Sequence, residues 1–264
     1  MMAVPRVAIV GLGLIGGSLG MRLRALGLAS VVGIDRDPSA ALRARQRGAA
    51  DEVYGELARV REAEVIIVAV PPEQTVAVAW EAAAHACEGA ILTDVASVKA
   101  PIVAQLAGLE RVRYVGGHPM FGSEGRGIDA ASADLPAGHP YVLTPVEATS
   151  GEALRRMERL SRELGMRPVL LAPEEHDRLV AEVSHLPYLL ALLLARETDP
   201  QAREVAGPAF RDATRVAAAP AHLMAEILRL NREHVLAAVE NFGRALARMH
   251  EMLARGEIAQ AVGL

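Results

Sequence analysis

Gly116-Gly117-His118-Pro119-Met120-Phe121-Gly122 sets a single histidine among glycines and a proline, directly after a short apolar run. An imidazole titrates near neutral pH, so a histidine held at a strand end can take a proton from a substrate hydroxyl. Upstream, Thr93-Asp94-Val95-Ala96-Ser97-Val98-Lys99 closes another apolar run. Ser97 there can hydrogen-bond both such a hydroxyl and a carboxamide; its structural alternative is to cap the next helix. Lys99 is the only lysine in the chain. It either decorates the surface of that helix or fixes Asp94.

A base acting on an alcohol needs a hydride acceptor beside it, and the N-terminus has the pattern that binds one. Val7-Ala8-Ile9-Val10 runs into Gly11-Leu12-Gly13-Leu14-Ile15-Gly16, spaced G-x-G-x-x-G, and then into a helix-like stretch. In this arrangement Gly11 permits the turn, Gly13 lets the backbone approach a pyrophosphate, and Gly16 allows close helix–strand packing. Leu12, Leu14 and Ile15 complete the cradle. Asp35 ends the next apolar run, where a carboxylate accepts hydrogen bonds from both hydroxyls of an adenosine ribose and repels a 2′-phosphate. That favours NAD over NADP, although the adjacent Arg36 could stack on adenine or hold a phosphate. Val70-Pro71-Pro72 is read as the rim of the cofactor cleft and the start of a helix.

Stepping outward, short apolar runs alternate with helical patterns as far as Ala172. Strands are expected near 7–10, 31–35, 65–70, 90–94, 114–116, 141–144 and 168–171, with helices near 15–26, 38–47, 72–87, 98–106 and 151–164. Alternation of this kind predicts an α/β, Rossmann-type, doubly wound and mostly parallel sheet. Beyond Pro173 no strand is expected, and Ala, Leu, Arg and Glu recur at helical spacing. The expected organisation is a dinucleotide-binding domain over 1–172 and an all-helical substrate-binding and dimerisation domain over 173–264. Helices there are placed at 176–196, 210–218, 221–231 and 232–255, with Pro187 as a kink in the first. They are apolar enough to pack on one another and on a second copy of the chain. The long Gly122–Pro140 segment is read either as a mobile cover over the site or as a disordered insertion.

Composition narrows the classes. Hydrophobic residues make up 52% and charged residues 23% of 264, which predicts a globular chain with a sizeable core. A net charge of −4 gives no reason to expect nucleic acid or an anionic membrane as partner. The single cysteine, Cys87, excludes a disulfide framework and a cysteine-based zinc cluster, and no metal is expected. A cytoplasmic location follows from this and from an N-terminus unlike a signal peptide. The longest apolar stretch, near Leu186–Ala195, falls short of the roughly 20 residues of a membrane span and contains Pro187.

Two clusters stand out in the helical part. Ser184-His185-Leu186-Pro187-Tyr188 puts a histidine in an apolar helix, where a satisfied core histidine is the ordinary reading. Phe210-Arg211-Asp212-Ala213-Thr214-Arg215 gathers two arginines whose forked donors can grip a carboxylate, although composition alone would make it a solvated turn.

Together these motifs resemble the prephenate/arogenate dehydrogenase family of tyrosine biosynthesis. The resemblance rests on the glycine turn through Ser18, Asp94…Ser97-Val98-Lys99, Gly117-His118-Pro119-Met120-Phe121-Gly122-Ser123-Glu124, Ser184-His185-Leu186-Pro187 and Phe210 to Arg215. It implies NAD-dependent oxidative decarboxylation of a cyclohexadienyl dicarboxylate. It further implies that His118 deprotonates the C4 hydroxyl and that Ser97 bonds that hydroxyl and the nicotinamide. Arg215 would bind a substrate carboxylate, and His185 would contact the side chain of substrate or of tyrosine as product inhibitor. Glu124, with Ser123 beside it, matches a family acid near the mouth of the site. Members are homodimers joined through the helical domain, so a partner subunit can complete each site. Met224 stands where some relatives carry tryptophan. The chain is expected to be a minimal form, with neither a preceding mutase-like domain nor a following regulatory one. Prephenate is the expected substrate, with arogenate as the alternative. A β-hydroxyacid dehydrogenase would place a catalytic lysine in the helical domain, which has none; an NAD-binding redox sensor would not need His118, Ser97 and Arg215 together.

Overall fold

The computed structural model describes residues 5–123 and 125–263. Eight strands form one sheet: β1 (Arg6–Val10), β2 (Ser30–Ile34), β3 (Glu52–Tyr54), β4 (Val65–Val68), β5 (Ile91–Asp94), β6 (Arg113–Pro119), β7 (Pro140–Thr144) and β8 (Arg167–Leu170). Their spatial order is 3-2-1-4-5-6-7-8. All neighbours pair parallel except β6 and β7, which run antiparallel with His118 opposite Val142 and Pro119 opposite Tyr141. This is the doubly wound Rossmann order with its reversal between β1 and β4, the crevice where such sheets bind ligands.

Crossovers are made by α1 (Leu14–Ala25), α2 (Pro38–Gln46), α3 (Pro72–His85), α4 (Ala100–Leu106) and α5 (Gly151–Glu163). Successive residues of β1 point to opposite faces, so Val7 and Ile9 enter one buried cluster with Leu19 and Leu23 of α1 while Ala8 and Val10 enter another with Ala79 and Ala82 of α3. Both faces are covered, which is why the central strands are apolar throughout. Asp37 and Ser150 cap α2 and α5, accepting from Ser39 N at 2.8 Å and Ala153 N at 3.4 Å.

Several elements depart from expectation, among them β3, the 122–140 segment and the short helices at Pro200–Glu204 and Ile258–Ala261. Strand β3 was not anticipated: its three residues lie at the sheet edge, exposed or half-buried, and carry no apolar run. The 122–140 segment is neither a free cover nor disordered over its described residues. Ile128 and Ala131 are each 2% exposed, Ser132 N donates to Ser18 Oγ at 3.1 Å, and Arg47 donates to the Ala131 carbonyl at 2.9 Å. A Cβ on Gly17 would come within 2.4 Å of Ile128 Cδ1, so the glycine lets this segment lie flat on α1.

After β8 come α6 (Pro173–Val180), a π-helical turn at Ala181–His185, α7 (Leu186–Glu197), α8 (Pro200–Glu204), α9 (Pro208–Thr214), a 3₁₀ turn at Arg215–Ala218, α10 (Ala221–Leu230), α11 (Arg232–Ala254) and α12 (Ile258–Ala261). By contacts the chain forms two compact units, the first running to His176 and including Ala219–Ile227, the second comprising Asp177–Ala218 and the chain from Leu228. Pro187 lies inside one continuous helical run, and the irregularity expected of it takes the form of the π turn directly before it, at Ala181–His185. The whole run Pro173–Glu197 is helical over 25 residues, longer than the apolar stretch the sequence marks out, and by length and composition it is long enough to cross a membrane. Only 28% of its most apolar window is buried within the chain. Leu193 and Leu194 are exposed, as are Leu236, Val239, Phe242, Leu246, Met249 and Leu253, which recur every three or four residues along one stripe of α11.

Candidate active site

The glycine turn is built as its spacing requires. Gly11 has φ of +95°, and a Cβ there would lie 2.4 Å from the Ala69 carbonyl oxygen; a Cβ on Gly16 would lie 2.0 Å from the Gly11 carbonyl oxygen. At Gly13, by contrast, a Cβ would meet nothing within 4 Å. Gly13 is also the N-cap of α1, with no side-chain cap and no acidic residue in the first turn. A helix N-terminus with free space against it and no carboxylate in its own first turn suits a pyrophosphate. Leu14 and Ile15 begin that helix.

Asp35 follows β2 and binds back onto the turn, its Oδ2 accepting from Leu12 N at 2.9 Å and its Oδ1 from Asp37 N at 2.9 Å. The carboxylate is thereby aimed beside the glycines with lone pairs left for further donors. Arg36 is exposed. Val70 is half-buried and Pro71 is the N-cap of α3, which places both at the end of β4 beside the turn. The residues of the turn and its rim therefore fit a dinucleotide.

Ser97 lies in the loop between β5 and α4 and is half-buried. The N-cap of α4 is Lys99, so the helix-capping alternative for Ser97 is set aside. Lys99 is not a surface cation: it and Asp94 are both 0% exposed and form an ion pair. Lys99 Nζ also donates to the Gly117 carbonyl at 2.7 Å. Asp94 Oδ1 accepts from Ala96 N at 2.9 Å and Oδ2 accepts from the Tyr114 hydroxyl at 2.7 Å. Burial, and next the Asp94 charge, hold the Tyr114 phenol well above its ordinary range, so it stays a neutral donor. One buried cluster thus ties β5, the Ser97 loop and the residue before His118.

His118 is 8% exposed on β6, parallel to and adjacent to β5. Its Nδ1 lies 2.8 Å from Nε2 of His176, which is fully buried, and the rings meet edge to face at 71° with centroids 5.0 Å apart. Nothing in the sequence marked out His176. It stands in Glu174-Glu175-His176-Asp177-Arg178, which reads as a solvated helix start; its one available signal is position, directly after the last strand of the sheet.

In the second unit, Asn231 Nδ2 donates to the Asp177 carbonyl at 2.7 Å and meets His185 Nδ1 at 3.2 Å. A carbonyl only accepts, which fixes the amide orientation and makes His185 Nδ1 an acceptor. His185 is 1% exposed, the surroundings of a satisfied core histidine. Arg215 opens the 3₁₀ turn after α9 and is exposed. Ser123 is exposed, with its Oγ accepting from Gly125 N at 3.3 Å. Glu124 lies outside the described residues. Met224 is half-buried on α10. Among the described residues no group of three or more His, Cys, Asp or Glu side chains is placed to hold a metal ion.

Residues 19–170 match the family model described as prephenate dehydrogenase, nucleotide-binding domain, and residues 172–262 match prephenate dehydrogenase, dimerization domain. The chain belongs to the prephenate dehydrogenase family. The first match begins beyond the glycine turn, which therefore rests on its own geometry. Prephenate dehydrogenase of Bacillus subtilis is 32% identical over 254 residues, 92% of this chain and 68% of that protein. Among solved structures, prephenate dehydrogenase from A. aeolicus in complex with hydroxyphenyl propionate and NAD+ superposes with a TM-score of 0.90 at 29% identity, covering 99% of this chain and 94% of that one. Arogenate dehydrogenase of Synechocystis superposes at 0.81 with 31% identity, covering 97% and 94%. The family carries the oxidoreductase activity and the place in tyrosine biosynthesis.

Proposed function

We propose that this chain catalyses the oxidative decarboxylation of prephenate to 4-hydroxyphenylpyruvate with NAD. The observation that carries the reading is His118, buried on β6 with its Nδ1 held by a second imidazole, beside a β5 loop that presents Ser97. NAD, when bound, accepts the hydride from C4 of the substrate. Gly11 to Gly16 and the N-terminus of α1 hold its pyrophosphate, Asp35 its adenosine ribose, and Val70 and Pro71 line the rim. Asp35 selects against the 2′-phosphate of NADP.

His118 takes the C4 hydroxyl proton as the C4–H bond breaks, and Ser97 orients that hydroxyl. The C1 carboxylate then leaves as CO2, and its bonding electrons pass through the ring to the C4 oxygen, which regains a proton as the ring becomes aromatic. Arg215 binds a substrate carboxylate, and His185 serves the substrate side chain, as the family resemblance implies. Residues 1–172 supply the dinucleotide site and 173–264 the substrate and dimer contacts. The unpartnered apolar stripe of α11 supports a homodimer through the helical part.

Arogenate is the second reading, supported by the likeness to the Synechocystis enzyme. Reduction of NAD measured with prephenate and with arogenate, each with and without tyrosine, tests the assignment. Turnover of prephenate in preference is expected. Preference for arogenate would transfer the assignment to it, and no turnover of either would overturn the proposal.

A further inference from the structure

We infer that His176 is the positioning residue for the base: it fixes the tautomer and the ring orientation of His118. The inference rests on the assignment of His118 as base. Two imidazoles whose nitrogens lie 2.8 Å apart must share one proton, with one donor and one acceptor. A base working through Nε2 needs a lone pair there, so the proton of neutral His118 belongs on Nδ1. It is then donated to Nε2 of His176, which in turn carries its own proton on Nδ1. His176 is fully buried, so its ring is held in place where it meets His118.

After His118 takes the substrate proton, its Nδ1–H still points at the same acceptor, so the imidazolium keeps its partner through the step. This is the orienting task that a third group performs for a nucleophile–base pair, carried out here by a second imidazole. The acceptor itself is anchored: His176 N donates to the Ala172 carbonyl at 2.9 Å, in the first turns of α6 directly beyond β8. The rings cross at 71° with centroids 5.0 Å apart, so the contact with His176 constrains the His118 ring plane as well as its Nδ1.

The test compares His176→Leu, which fills the space without an acceptor, with His176→Gln, whose amide oxygen reaches about as far as Nε2. His176→Leu is expected to lower kcat about 10²-fold, within the usual worth of acid–base catalysis, with KM for prephenate and Kd for NAD within about threefold. His176→Gln should regain most of kcat. His118→Asn/His176→Leu should be no slower than His118→Asn alone, because the second residue acts through the first. In the cofactor-free protein, ¹⁵N shifts should show His118 protonated on Nδ1.

Retention of kcat within threefold in the leucine variant, equal losses in Leu and Gln, or a His118 protonated on Nε2 would each overturn the inference. If the leucine variant does not fold, Gln is compared with His176→Asn, whose amide is one methylene too short; equal kcat overturns the inference. An inactive parent, or an active His118→Asn, would instead refute the underlying assignment.

Discussion

Replacing Lys99 by methionine tests whether the cluster beneath the site is a paired charge or merely packed volume. Methionine keeps the length of the stem, so little cavity forms. Asp94, 0% exposed, keeps Ala96 N and the Tyr114 hydroxyl as donors but loses its cation, and the Gly117 carbonyl loses the Nζ donor. Leaving one member of a buried pair uncompensated costs about 3–5 kcal/mol. In Lys99→Met/Asp94→Asn no charge remains, the amide oxygen still accepts from Ala96 N, and the Tyr114 hydroxyl can accept from the amide. The double variant should then lose only about 1–2 kcal/mol, the cost of imperfectly replaced hydrogen bonds. Urea unfolding at pH 7 of the parent, both singles and the double measures this. The distinctive outcome is the order: the double variant more stable than Lys99→Met. A Lys99→Met loss below about 1 kcal/mol, or a double variant less stable than that single, would refute the argument that charge pairing sets the energy.

Tyr114 gives a pH signature. Its phenol is raised in the fold, so its contribution is fully present below the unfolded value of about 10 and is lost as pH climbs from there toward the folded value. Tyr114→Phe should flatten the alkaline fall of stability measured by unfolding between pH 9 and 11, whereas an unchanged slope would remove Tyr114 as its source. Ile128→Ala should cost about 2–5 kcal/mol and make the 122–140 segment sensitive to limited proteolysis, since that side chain is what seats it on α1. Leu246→Asp places a carboxylate in the apolar stripe of α11 and should convert a dimer to a monomer in sedimentation equilibrium, with the far-ultraviolet spectrum unchanged.

The sheet was legible because its strands are buried on both faces and so appear as apolar runs with nothing polar to interrupt them. β3 lacked that signal, being three residues long and half-exposed. The glycine turn was legible because backbone constraints admit few residues: a positive φ at Gly11 and a contact too close for Cβ at Gly16 select glycine directly. Lys99 was marked only by being solitary; that it is buried against Asp94 follows from tertiary packing, which composition does not encode. His176 was hidden because four charged neighbours disguise a buried ring. The seat of the 122–140 segment depends on one isoleucine meeting one glycine across more than a hundred residues of sequence, and no local pattern carries that.

These elements converge on a single residue from three directions. The backbone of His118 is paired to β7 through Val142, the carbonyl before it is held by Lys99, and its ring is held by His176. Each constraint comes from a different part of the chain, and all three lie in the first compact unit, since contacts assign His176 to it. A base must be placed to within a fraction of an ångström to be effective, and a side chain fixed by its own rotamer alone is not placed so well. Burying an ion pair is weak as a source of stability, because removing the charges from water costs about as much as their attraction returns. Its presence beneath this strand is better explained by what it holds than by what it stabilises: Lys99 locks Asp94, and through it the Ser97 loop, to the carbonyl adjoining His118, the proposed base. Lys99→Met should therefore lower kcat more than it raises KM, whereas a change at Arg215, in the second unit, should act first on KM.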